Sequence, residues 1–204
     1  MRKAYLWAVI LFVVLVGVNA CGKNSAPKPD SSTSQASSTA SSILEMDAPQ
    51  TWVNDFAGIL PNATKKRMED SLRTLSTTTS NQIMVLTVSD LEGEDPTLFA
   101  TKVGNLWGVG QKNINNGVVI VIKPKVKGEK GQVAIAPGRG LEGALPKVFC
   151  QRIIEDEMIP CLKANNDYSA ALWSALHLIM PVCRGEYSYE TYSQSKTKKR
   201  ISRN

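Results

Sequence analysis

Apolar and polar positions along this chain follow two rhythms. From Pro61 to Ser76, Met68, Leu72 and Leu75 recur at i, i+4 and i+7 while Lys65, Lys66 and Arg67 fall outside the stripe, which predicts an amphipathic helix. Gln82–Val88 hardly alternates and predicts a strand buried on both faces. Leu91–Asp95 is an acidic loop. Pro96–Trp107 carries Phe99, Val103, Leu106 and Trp107 on or near one side, predicting a second helix that Gly108-Val109-Gly110 stops. Val118–Ile122 and Val133–Ala136 are rich in β-branched residues and bounded by Gly and Pro, so both predict strands, joined by a lysine- and glycine-rich hairpin or longer loop. A glycine turn, Gly138 to Gly143, leads into a helix expected from Pro146 to about Ile159 and ended by Pro160. Asn166 or Asp167 can cap a last helix, expected to run to Met180 and to end at Pro181. The order helix, strand, helix, strand, strand, helix, helix predicts an α/β fold with a small mixed sheet and helices on both faces.

The first 48 residues follow neither rhythm. Arg2 and Lys3 precede an apolar run, Ala4–Val18, that is shorter than the roughly 20 residues of a comfortable membrane span. Val18-Asn19-Ala20-Cys21 resembles a bacterial lipobox. This predicts a signal peptide over 1–20, an acylated Cys21, and a lipid-anchored protein of the cell envelope facing the periplasm or exterior. Gly22–Ser42 is rich in Ser, Thr, Ala and Pro with no large apolar side chain, so residues 21–48 read as the acylated cysteine and a tether. The domain proper is expected over 49–183 and a basic tail over 184–204.

Charge follows this division. The whole chain is formally +6, but Ile43–Cys183 holds 14 Lys/Arg against 15 Asp/Glu, a net −1. The last 21 residues hold six basic against two acidic side chains. That tail reads as solvated, with a membrane-surface or polyanion contact as the alternative. No basic, aromatic-studded face argues for nucleic acid.

Several segments, in order, carry a resemblance: VNDFAGIL, QIMVLTVSDLEG, FATKVGNLWGVGQKNINNGVVIVI, GRGLEGALP and IIEDEMIPCLKANNDYSAAL. Together, from about Trp52 to Ile179, the chain resembles the TPM domain family. The resemblance implies a three-layer α/β/α sandwich. Some members are thylakoid-lumen proteins linked to photosystem II repair and described as acid phosphatases; others are bacterial, exported or membrane-anchored, without a settled activity. Divalent-metal binding has been associated with the fold. Asp55, Glu142 and Asp167 match family positions. Lys147 stands where the family usually has an acidic residue, and Asn115-Asn116-Gly117 where it often has one. Both departures remove negative charge from the metal region that the resemblance implies.

Gly138-x-Gly140-x-x-Gly143 follows a strand and precedes a helix, as in a dinucleotide site, but no strand follows that helix, so a dinucleotide is not expected. The turn reads either as a tight connection needing positive φ or as an anion site, with Arg139 and the Gly138 and Gly140 backbone as partners. A weak Ca²⁺ or Mg²⁺ site would draw on Asp55 and Glu142 with Asn115 or Asn116 as neutral oxygen donors; the competing reading makes each of these a turn or cap residue. His177, the only histidine, lies in an apolar helix and reads as structural. Cys150, Cys161 and Cys183 could supply one disulfide between the closing helices or remain small core residues. Glu155-Asp156-Glu157 cannot converge on one ion from a helix and reads as a solvated face.

These readings predict a membrane-anchored envelope protein, a non-catalytic or weakly metal-binding module acting in membrane-protein assembly or maintenance. The competing expectation is a divalent-metal-dependent acid phosphatase.

Overall fold

A computed structural model describes residues 42–45 and 47–201, with side chains through 198. One four-stranded sheet organises it, in the order β1 (Val53–Asp55), β2 (Gln82–Thr87), β3 (Gly117–Lys123), β4 (Gln132–Pro137). β1 pairs with β2 and β2 with β3 in parallel, and β4 returns antiparallel to β3. The sheet is therefore mixed, as the pattern predicts. β1 is an addition: three residues inside the VNDFAGIL segment are too few for a period to show. Asp55 pairs with Thr87 and Thr87 with Ile122, whereas Gln82 pairs with Gly117 and Val118 with Pro137.

Both faces of the sheet are covered. Alternate residues of β2 and β3 divide between two cores, with Ile83, Val85, Val118, Ile120 and Ile122 on one face and Met84, Leu86, Val119 and Val121 on the other. The first face receives α1 (Asn62–Thr79) through Met68, Leu72 and Leu75, and the closing helices through Phe149, Ile153, Leu172, Leu176 and Ile179. The second face receives α2 (Pro96–Leu106) through Phe99, Ala100 and Val103. Asp95 starts α2 by accepting from the Thr97 and Leu98 amides, with Pro96 in the first turn. Asp167, of the two candidates, caps α5 (Tyr168–Cys183) by accepting from the Ala170 amide, while Asn166 takes the left-handed position that ends the helix before it. The result is an α/β/α arrangement.

Several boundaries differ from expectation. Pro160 does not end a helix: α3 (Lys147–Ile153) passes through a π turn, Ile154–Met158, into α4 (Ile159–Asn165). The wider π turn just before Pro160 accommodates a ring that has no N–H to give. Pro181 lies inside α5, because Val182 and Cys183 behind it are buried and hold the last turn in place. The region read as a basic tail contains a further helix, α6 (Tyr189–Ile201), whose Tyr192 is buried in the core. At the other end, packing among the described residues already includes Ser42, ahead of the start expected near Pro49. Glu92 accepts from the Ser42 hydroxyl at 2.6 Å and the Ile43 amide at 3.1 Å, and Ile43 and Leu44 pack on the α2 core. The expected signal peptide, Cys21 and tether residues 22–41 lie outside the described residues. Among the described residues, no helix is long and apolar enough to cross a membrane.

Candidate functional site

Asp55 closes β1, and the chain turns immediately after it. The Thr87 hydroxyl donates to its Oδ1 at 2.6 Å and the Ile59 amide at 3.0 Å; the Leu60 amide donates to Oδ2 at 3.1 Å, and Lys65 Nζ lies 3.5 Å from that oxygen. The carboxylate is 1% exposed. Burial pushes its pKa up, but the Thr87 hydroxyl, the Leu60 and Ile59 amides and Lys65 outweigh burial and hold it below the usual carboxylate range. Asp55 thus knits the turn over residues 56–60 to the ends of β2 and α1.

The glycine turn lies at the other end of the sheet. Asn115, in the left-handed region, accepts from the Gly140 amide at 3.1 Å, and Gly117 accepts from the Gly138 amide at 2.7 Å. Neither Gly138 nor Gly140 has a positive φ, which corrects that expectation. The glycines are needed for close approach: a Cβ on Gly138 would stand 2.3 Å from the Asn115 carbonyl oxygen, and one on Gly140 would stand 2.0 Å from that of Ile114. Their amides are committed to these backbone carbonyls, so the expected backbone anion cradle does not form. Leu141 is buried and anchors the turn.

Between this turn, α2 and the sheet lies a cleft of about 430 Å³. Small residues leave the space: Ala100 and Gly104 from α2, Gly117 from β3 and Ala136 from β4. Thr101, Asn105, Asn115, Arg139 and Glu142 supply its polar lining. Arg139 and Glu142 are exposed and make no ion pair among the described residues.

The four candidate metal ligands therefore separate. Asn115 and Glu142 line one cleft. Asn116 is 3% exposed, its Oδ1 accepting from the Gln111 amide and its Nδ2 donating to Ser80, so it rivets two loops together. Asp55 lies at the far end of the strands: the register puts it level with Ile122, five residue steps along β3 from Gly117, about 17 Å at 3.3 Å per step. A hard divalent cation takes about six to eight oxygens; one carboxylate and two amides in the cleft do not fit that demand. No group of three or more His, Cys, Asp or Glu side chains able to hold a metal occurs among the described residues.

The other candidates resolve similarly. Cys150, Cys161 and Cys183 are free thiols, which matches the second of the two readings, three small residues without a bridge. Cys150 Sγ lies against the Leu145 carbonyl and Cys161 Sγ against the Glu157 carbonyl. Burial raises the Cys150 thiol to about 12 and the Cys183 thiol to about 11, the latter despite Arg184. His177 is exposed and stacks on Trp173 at 5.7 Å.

The family model of the TPM domain matches residues 53–182, from β1 to the end of α5. The chain belongs to the TPM domain family. Among solved structures, this TPM domain is similar to the N-terminal domain of a protein from P. gingivalis. That likeness has 31% identity and a TM-score of 0.58, and covers 66% of this chain and 83% of that one. It also shares its fold with the BA42 protein of the psychrophilic bacterium Bizionia argentinensis, at 19% identity and a TM-score of 0.50, over 64% of this chain and 85% of that one. No curated protein matches it. The family match stops before α6, so the helix that buries Tyr192 lies beyond the matched TPM region.

Proposed function

We propose that this TPM domain is a binding module held at the cell envelope by an acylated Cys21, acting in membrane-protein assembly or maintenance rather than in hydrolysis. The observation that carries this reading is the position of Asp55. A metal-assisted phosphatase would need that carboxylate beside Glu142 to gather a cation. Instead four partners occupy it, one strand-length away. What remains in the cleft is a surface for recognition. Arg139 and Glu142 offer opposite charges on a floor of small residues. Ile114, next to Asn115, and Leu106, next to Asn105, are exposed apolar side chains. Such a mixture suits a segment of another protein better than a phosphomonoester.

The test is a phosphomonoesterase assay of the full chain with p-nitrophenyl phosphate, in Mg²⁺ or Ca²⁺ against EDTA. The expected result is no metal-dependent turnover above the blank. Turnover that disappears in folded Glu142→Ala or Arg139→Ala protein would establish the competing acid phosphatase reading instead.

A further inference from the structure

The connection from β3 to β4, KPKVKGEKG over residues 123–131, is held in one shape. The Glu129 amide donates to the Val126 carbonyl at 3.1 Å, closing a turn in which Gly128 takes a φ of +91°, a value that favours glycine. The Lys125 amide donates to the Tyr168 hydroxyl at 3.3 Å, which ties the loop to the start of α5. A Cβ on Gly131 would stand 3.1 Å from the Lys125 amide nitrogen, so the two stems of the loop run close together. Lys123, at the end of β3, is 8% exposed and pairs with Glu129. The loop's one carboxylate is therefore committed to a buried ammonium group.

What the loop presents to solvent is positive. Lys125, Lys127 and Lys130 are exposed and make no ion pair among the described residues. Val126 is 46% exposed between the first two. Lysines elsewhere have partners: Lys65 has Asp55, Lys102 has Glu94, and Lys196 has Glu157, in an acidic socket that also takes the Tyr192 hydroxyl. The connection from β2 to α2 leaves the sheet at this same end, and its carboxylates are engaged locally. Asp90 accepts from the Leu91 and Glu92 amides, Glu92 holds Ser42 and Ile43, Glu94 holds Lys102, and Asp95 caps α2. Two more exposed apolar side chains stand at this end, Phe56 just after β1 and Leu98 in the first turn of α2. The cleft lies at the opposite end, six residue steps of β3 away, about 20 Å.

We infer that the Lys125–Lys130 loop is a contact site for the headgroups of an anionic lipid surface. Three lysines within six residues, each without an ionic partner, supply the charge that acidic headgroups attract. Val126 supplies an aliphatic side chain for the boundary between headgroups and acyl chains. A single-stranded nucleic acid would be held by bases stacking on aromatic side chains, and the loop's sequence has none. Seated on this loop, the domain keeps its cleft on the side away from the lipid. The inference rests on the loop, not on Cys21 and not on the reading of the cleft.

The test mixes the full chain with vesicles, either phosphatidylcholine alone or phosphatidylcholine with phosphatidylglycerol. Accessible amines are labelled with an acylating reagent and quantified by mass spectrometry. Lys125, Lys127 and Lys130 should label about tenfold more slowly on the anionic vesicles. Lys112 and Lys147, exposed at the cleft end, should label equally on both. The difference should vanish near 1 M salt, where the screening length falls to about 3 Å. A second measurement compares recovery with the two vesicle types in Lys125→Gln/Lys127→Gln/Lys130→Gln protein, whose three altered side chains are all exposed. Its preference for the anionic vesicles should fall by about a hundredfold, for three lysines near the surface. Equal labelling of the loop on both vesicle types overturns the proposal, as does equal protection of Lys112 and Lys147 or an unchanged preference in the variant. Protection of the loop by a free single-stranded DNA oligonucleotide at the same charge concentration, with none by the anionic vesicles, also overturns it, in favour of a soluble polyanion.

Discussion

Replacing Asp55 with alanine removes the acceptor of three donors at once: the Thr87 hydroxyl and the Ile59 and Leu60 amides. Buried donors left without an acceptor of this kind cost about 3 kcal/mol together. For a domain of this size that lowers the melting temperature by about 10 °C. Thermal unfolding of Asp55→Ala measures it, and a variant as stable as the wild type would show that the carboxylate does not hold the turn. The pH dependence has a definite sign. The folded pKa is below the unfolded one, so the carboxylate stabilises the fold above the unfolded value of about 3.9 and loses that contribution as pH falls through the folded value. Asp55→Asn should therefore show a flatter loss of stability below about pH 4 than the wild type. Asn116 follows the same logic. Its placement in an Asn-Asn-Gly turn makes it look like an available oxygen donor, yet its amide is consumed by Gln111 and Ser80, contacts 5 and 36 residues away that spacing alone does not disclose.

At the scale of elements, the periodic segments were legible and the aperiodic ones were not. α1, α2, β2, β3 and β4 fall within a few residues of their predicted bounds, because each buries a face whose period the side chains must follow. α6 has two apolar anchors, Tyr189 and Tyr192, in an otherwise polar and basic stretch, so its burial depends on a tertiary socket. Pro160 and Pro181 mislead for a related reason: packing of the buried residues around them holds helical structure that a proline ordinarily stops. The socket can be dissected. Tyr192→Phe keeps the tilted ring contact with Phe149 and removes the hydroxyl, at about 1 kcal/mol; Tyr192→Ala empties the site, at about 3–5 kcal/mol. Hydrogen exchange of the α6 amides should accelerate modestly in the first and strongly in the second, and equal exchange in both would mean the helix is held elsewhere. Burial, then Glu157 and Asp156, push the Tyr192 hydroxyl far above its ordinary value. The protonated form is therefore the docked one. Docking is complete below about pH 10, the unfolded value, and weakens as pH rises above it.

At the scale of the molecule, strand direction decides what the site can be. Asp55 and Glu142 each stand beside a turn at the end of a strand, and sequence gives no means of telling which end of the sheet each turn occupies. The order β1-β2-β3 in parallel, with β4 reversed, puts the end of β1 and the end of β4 at opposite edges. Each turn forms; they do not meet. The departures that the family resemblance implies, at Lys147 and in the Asn115-Asn116-Gly117 turn, point the same way as this geometry. Its consequence can be measured on the full chain by thermal unfolding in excess EDTA and then in Ca²⁺ or Mg²⁺. An ion at about 10 mM, binding with a dissociation constant no tighter than that concentration, adds at most about 0.4 kcal/mol. That moves the melting temperature by only about 1–2 °C. An ion at about 100 times its dissociation constant adds about 2.7 kcal/mol, which raises it by about 5–10 °C. We expect the smaller response, because Glu142 is the one carboxylate lining the cleft and Arg139 lines it too. A shift of the larger size, abolished by Glu142→Ala but retained in Asn116→Ala, would place a tight cation in the cleft and return the hydrolytic reading to first place.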